Sequence, residues 1–110
     1  MIHFTFYTDS FIPARFGGTT YGIFVFIRPK YKNDIGMLKH ELTHVKQFWR
    51  NPLFGLWYYF SKTSRLKYEA EAYKAQLVCY PDSRKKLFAQ YLVNNYSLGI
   101  TYDQAIAALS

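Results

Sequence analysis

Residues 35 to 50 read Ile35-Gly36-Met37-Leu38-Lys39-His40-Glu41-Leu42-Thr43-His44-Val45-Lys46-Gln47-Phe48-Trp49-Arg50, and their spacing is helical. At about 100° per residue the segment divides into three sectors. Ile35, Leu38, Leu42, Val45 and Trp49 make an apolar face, and Lys39, Thr43, Lys46, Gln47 and Arg50 make a basic, solvated one. The third sector carries His40 and His44, flanked by Met37, Glu41 and Phe48. Asn33 or Asp34 supplies the N-cap, and Asn51-Pro52 ends this helix and starts another with Pro52 in its first turn.

Before this helix, Ile2, Phe4 and Phe6 alternate with His3, Thr5 and Tyr7, the period of a strand. Phe11 to Phe16, with Pro13 inside, reads as a loop or irregular edge. Gly17-Gly18-Thr19-Thr20 reads as a turn into Tyr21 to Arg28, a strand apolar on both faces. After the helix, Ser61 to Ser64 form a break whose last serine caps a helix from Arg65 to about Cys79. Pro81-Asp82-Ser83 opens a fourth helix reaching about Asn94. Thr101 and Gln104 form a capping box for a short last helix ending near Leu109. Strands first and helices afterwards predict an α+β fold. A small antiparallel sheet of two or three N-terminal strands packs on a bundle of about four to five helices. At 110 residues the chain is one compact domain, 1–110.

Half the residues are apolar and 21% aromatic, which excludes disorder. The single cysteine, Cys79, excludes an internal disulfide framework and fits a reducing compartment. The N-terminus has no basic segment leading a long apolar run, and Pro52 to Phe60, the longest greasy stretch, is too short to span a membrane. These features predict a cytoplasmic protein with no signal peptide and no transmembrane segment. The net charge of +7 suits acidic protein substrates, nucleic acid or an anionic membrane surface, although a solvated basic face that aids solubility is the preferred reading. Pro52 to Phe60 lies among Arg50, Lys62, Arg65 and Lys67. It reads as a helix linking its two neighbours or as a membrane-interface or protein-docking helix. Arg84-Lys85-Lys86 reads as a solvated helix start that can also touch phosphate.

His40-Glu41-Leu42-Thr43-His44 uses two of three histidines and one of three glutamates. Chance gives this His-Glu-x-x-His pattern in roughly two of every thousand shuffles of the composition. Residues four apart on a helix sit one above the other, so both imidazoles reach one metal ion while Glu41 stands beside them as a general base. A catalytic zinc ion takes three protein ligands and keeps one open position. His3 is one candidate for the third, on a terminal strand without a motif around it. The run Tyr68-Glu69-Ala70-Glu71-Ala72-Tyr73 is the better source. Glu69 and Glu71 point about 200° apart on a helix, so only one can face the ion. Glu69 is preferred because small Ala72 shares its face and allows close helix approach; Glu71 is the runner-up. Cys79 is either a fourth ligand that silences the site or an inert buried residue.

His40-Glu41-x-x-His44 followed by Glu69-x-x-Ala72 resembles the glutamate-zincins, and at this length the compact minigluzincin-type members most of all. The match covers about residues 20 to 80. The resemblance implies a minimal zincin-like metallopeptidase domain with Zn2+ held by His40, His44 and Glu69, a peptide or protein substrate, and the strand Thr20 to Arg28 as the edge along which an extended peptide adds. An interior strand is the alternative for that segment. The chain departs from the family at Tyr73, where larger members place Asp or Asn to orient the histidines; backbone carbonyls are the substitute. Tyr73, four residues after Glu69, is the candidate oxyanion stabiliser. Two rivals stand beside zinc-dependent peptide hydrolysis: a zinc-binding regulatory or nucleic-acid-associated protein, and a latent or inactive zincin that acts as a binding module. A bacterial or phage origin suits so short a chain.

Overall fold

A computed structural model of the chain describes residues 1–81 and 83–110, the Phe54 side chain excepted. Three strands, β1 (Phe4–Tyr7), β2 (Gly18–Tyr21) and β3 (Phe24–Ile27), precede five helices, α1 (Ile35–Arg50), α2 (Phe54–Phe60), α3 (Lys62–Leu77), α4 (Lys85–Asn95) and α5 (Tyr102–Ala108). The α+β class holds. The sheet is mixed rather than antiparallel, in the order β1-β3-β2. β1 runs parallel to β3, with Phe4 opposite Phe24, and β2 runs antiparallel to it, with Thr20 opposite Val25. Parallel neighbours need a crossover. Residues 8–17 carry the chain past β3 so that β2 lands on its far side. Arg28 ties that crossover down, donating from Nε to Phe16 O (2.9 Å) and from the guanidinium to Asp9 Oδ1 (3.1 Å) and Pro13 O (3.1 Å).

The expected strand Tyr21 to Arg28 is cut at Gly22-Ile23. Gly22 has φ 63°, the left-handed backbone of a tight hairpin, and what reads as a turn at Gly17 to Thr20 is β2 itself. β3 is therefore the interior strand and β2 the edge. On the inner face, Val25 and Ile27 bury against Val45, Leu38 and Leu42 of α1. On the outer face, Phe4 stacks on Phe24 and Phe6 on Phe26 (centroids 5.8 and 5.5 Å).

α1 has the predicted bounds, and Asp34 is its cap, accepting from Met37 N. Its buried arc is rotated from the expected one. Ile35 is 67% exposed and Trp49 is half exposed, whereas Thr43 and Gln47 are buried. The cause is α3, which covers the histidine side of α1 and makes the most extensive helix pairing in the fold. α3 begins earlier than expected because Ser61, not Ser64, is its cap; the Ser61 hydroxyl accepts from Ser64 N. The expected helix opening at Pro81-Asp82-Ser83 falls partly outside the described residues, and α4 starts at Lys85. The Thr101–Gln104 capping box is formed in both directions. A second core, centred on Tyr73, Phe88, Leu92, Leu98 and Leu109, joins α3 to α4 and α5. Among the described residues no helix is long and apolar enough to cross a membrane.

Candidate metal centre

Between the two cores, the facing sides of α1 and α3 are polar. His40, His44 and Glu69 are buried there, with ligand atoms all within 4.8 Å of one another. His44 Nε2 lies 3.1 Å and His40 Nε2 3.3 Å from the same atom, Glu69 Oε1. Ligands about 2.0–2.1 Å from a tetrahedral ion sit about 3.3 Å from each other, so these separations already suit one.

The hydrogen bonds behind the rings decide which nitrogen carries a proton. Gln47 Nε2 donates to Tyr68 O (2.9 Å) and Glu71 Oε1 (2.8 Å), so its carbonyl oxygen must be the atom 2.8 Å from His44 Nδ1. Tyr80 donates its hydroxyl proton to Asp34 Oδ1 (2.9 Å) and accepts from Gln76 Nε2 (2.8 Å), which leaves Gln76 Oε1 to face His40 Nδ1 at 3.0 Å. Both Nδ1 atoms are therefore N–H donors, and in neutral rings both Nε2 atoms present lone pairs. Two lone pairs and a carboxylate oxygen at this range repel unless a positive charge sits among them. Either protons or a metal ion can supply it. Without a metal, burial alone would lower the His44 pKa, but the charge and hydrogen bond of Glu69, with the charge of Glu41, raise it to about 9. Burial would likewise raise the Glu69 pKa, yet His44 and His40 hold it well below the usual carboxylate range. A buried trio whose surroundings favour positive charge, with correctly presented donors, could hold a metal ion.

Glu69 is kept in place by Tyr58 of α2, whose hydroxyl donates to Oε2 at 2.6 Å and frees Oε1 for the histidines. Burial first and the Glu69 charge second push the Tyr58 pKa up, so it stays a donor. Glu41 is buried beside the trio without belonging to it. Thr20 Oγ1 of β2 donates to its Oε1 at 2.8 Å. These groups floor a cleft of about 590 Å³ whose walls include the whole of β2, Tyr58, Tyr59, Arg65 and Tyr96.

Of the residues singled out from sequence, His40, Glu41, His44 and Glu69 come together. Glu71 does not join them: it accepts from Arg50 at 2.6 Å and from Gln47, and so braces the amide behind His44. His3 pairs with Thr5 beside β1, and Cys79 is half-buried with its Sγ near Ala75 O; neither belongs to the cluster. Tyr73 does not line the cleft. Its ring meets His40 edge-on (4.4 Å) and its hydroxyl is taken by Tyr96 at 2.7 Å. The histidines are oriented by Gln47 and Gln76 side chains rather than backbone carbonyls. Sequence reading missed both glutamines and Tyr58. Gln47 at His44+3 and Gln76 at Glu69+7 share faces with the candidate ligands, which is the one signal that points to them. No protein-family model, curated protein or solved structure matches the chain, so the chemistry rests on this geometry.

Proposed function

We propose that the chain is a zinc metallopeptidase of the glutamate-zincin kind, with His40, His44 and Glu69 as metal ligands and Glu41 as general base. The observation that carries this reading is the convergence of two imidazole Nε2 atoms on one carboxylate oxygen, with a second carboxylate held beside them. Two imidazoles and one carboxylate are the donors of catalytic zinc and also of ferrous oxygenase sites. Glu41, a buried base that is not one of the three ligands, favours hydrolysis.

A bound zinc ion would supply Lewis acidity, polarising a carbonyl oxygen and bringing the pKa of water toward 7. Glu41 takes a proton from the attacking water and passes it to the leaving amine, while the Thr20 hydroxyl fixes its position. Among the described residues β2 has a strand neighbour on one side only and lines the cleft, so an extended peptide can pair with its free edge without its sequence being read. For the developing oxyanion, Arg65 offers a cation in the cleft, and its buried Nε has no hydrogen-bond partner among the described residues.

The test compares wild type, His40→Ala and Glu41→Gln by elemental analysis and by cleavage of a peptide library. The expected result is about one zinc per wild-type chain, loss of it in His40→Ala, and retained zinc in Glu41→Gln with cleavage reduced at least about 100-fold. Zinc-free native protein removes the metal reading. Undiminished cleavage by Glu41→Gln removes the base.

A further inference from the structure

We propose that α2 is a membrane-surface helix that seats the chain on an anionic lipid bilayer by sinking Leu53, Leu56, Trp57 and Phe60 into the headgroup region. Leu56, Trp57 and Phe60 lie within an arc of about 100° on α2, and Leu53, its N-cap, precedes them at the matching spacing of i, i+3, i+4 and i+7. On a helix of a globular domain such a stripe normally faces the core. Here it faces outward, with exposures of 62%, 58%, 56% and 85%. The opposite side of the helix carries Tyr58, which is bonded to Glu69. Rolling the stripe inward would break that bond, so the helix is locked with its apolar side out. Tyr59, on the flank, is 73% exposed.

Two observations favour lipid over a protein groove. From Leu42 to Tyr68 the chain has no Asp or Glu, while Lys46, Arg50, Lys62, Arg65 and Lys67 fall in that span. Of these, Lys46, Lys62 and Lys67 are exposed and make no ion pair among the described residues. Together with the net charge of +7, that complements an anionic surface. The stripe also mixes Trp57, and Tyr59 beside it, with Leu and Phe; such rings place a polar atom at headgroup level and an apolar body below. At seven residues α2 is far too short to span a bilayer and would engage only its surface. Gly55, Tyr58 and Tyr59 also line the cleft, so docking would hold the cleft mouth near the bilayer. The proposal does not depend on the cleft being a peptidase.

The experiment mixes the full chain with vesicles of phosphatidylcholine alone or blended with phosphatidylglycerol and measures co-sedimentation. The expected result is binding to the anionic vesicles at least about tenfold tighter than to the neutral ones, weakened by salt. The double variant Leu56→Ser/Phe60→Ser, altered at two exposed positions and checked for fold by circular dichroism, is expected to lose about tenfold or more. In a Trp49→Phe background, Trp57 emission should shift to the blue on the anionic vesicles. No binding to either vesicle overturns the proposal and leaves the stripe to a protein groove. Undiminished binding by the double variant, or unshifted Trp57 emission in bound protein, reduces the effect to surface charge and overturns it equally.

Discussion

Gln47 lies on the face of α1 that the helical wheel assigns to solvent, yet it is 1% exposed. Its three hydrogen bonds explain the burial. Both amide protons are used on Tyr68 O and Glu71, and the carbonyl holds the Nδ1 proton of His44. Gln76 does the same for His40 through Tyr80 and Asp34. Such partners fix tautomer and ring direction, and removing one typically costs 10–100-fold in metal affinity. Gln47→Leu and Gln76→Leu conserve much of the volume and should each weaken zinc binding by about that factor, measured by competition with a chromophoric chelator. Unchanged affinity in both would mean that helix packing alone orients the rings. The same polarity that makes these glutamines useful hides them in sequence, because a lone Gln on a helix beside lysines reads as surface. Tyr58 is hidden differently: among eleven tyrosines nothing local marks the one that reaches Glu69.

At the scale of elements, the Tyr80 relay depends on how closely α1 lets that ring approach. A Cβ placed on Gly36 would lie 2.5 Å from Tyr80 Cζ and 2.6 Å from its hydroxyl oxygen. Gly36→Ala would gain up to about 1 kcal/mol of helix propensity. The clash, with the displaced Tyr80–Asp34 and Tyr80–Gln76 bonds, should outweigh it and leave a net loss of about 1–2 kcal/mol. Urea unfolding reads the difference, and a stabilised Gly36→Ala protein would refute the close contact. The elements legible in sequence are those set by short-range rules: α1 by its period and cap, α5 by the Thr101–Gln104 box. α3 starts early because Ser61 satisfies the same local rule as Ser64, and only the packing of α2 decides between them. The order β1-β3-β2 is set by the crossover at residues 8–17 and its four anchors on Arg28, contacts 12 to 19 residues apart that no local pattern contains. The candidate metal-binding trio was legible for the opposite reason: helical spacing fixes His40 against His44, and one small residue, Ala72, marks which glutamate can approach.

For the whole molecule, α1 and α3 separate a sheet-side core from a helix-side core, and the seam between them is charged rather than apolar. A buried ionic seam ties stability to pH and metal together. In the metal-free protein the folded pKa of His44 is raised from 6.5 to about 9, so its contribution is complete below about pH 6.5 and is lost as pH rises toward 9. Glu69 is shifted the other way: its folded pKa lies below 4.5, so its contribution is complete above that value and is lost as pH falls. The seam is thus strongest between about pH 5 and 6.5, and chelator-treated protein should lose up to about 3 kcal/mol between pH 6 and 9. Zinc reverses the slope, because it needs the same Nε2 without its proton and competes better as pH rises. Urea midpoints measured with chelator and with excess zinc should therefore diverge as pH rises from 6 to 9, the first falling and the second holding or rising. If the chelator-treated protein were as stable at pH 9 as at pH 6, the seam would not be held by the His44–Glu69 charge pair, and the case that it is built around a cation would fail with it.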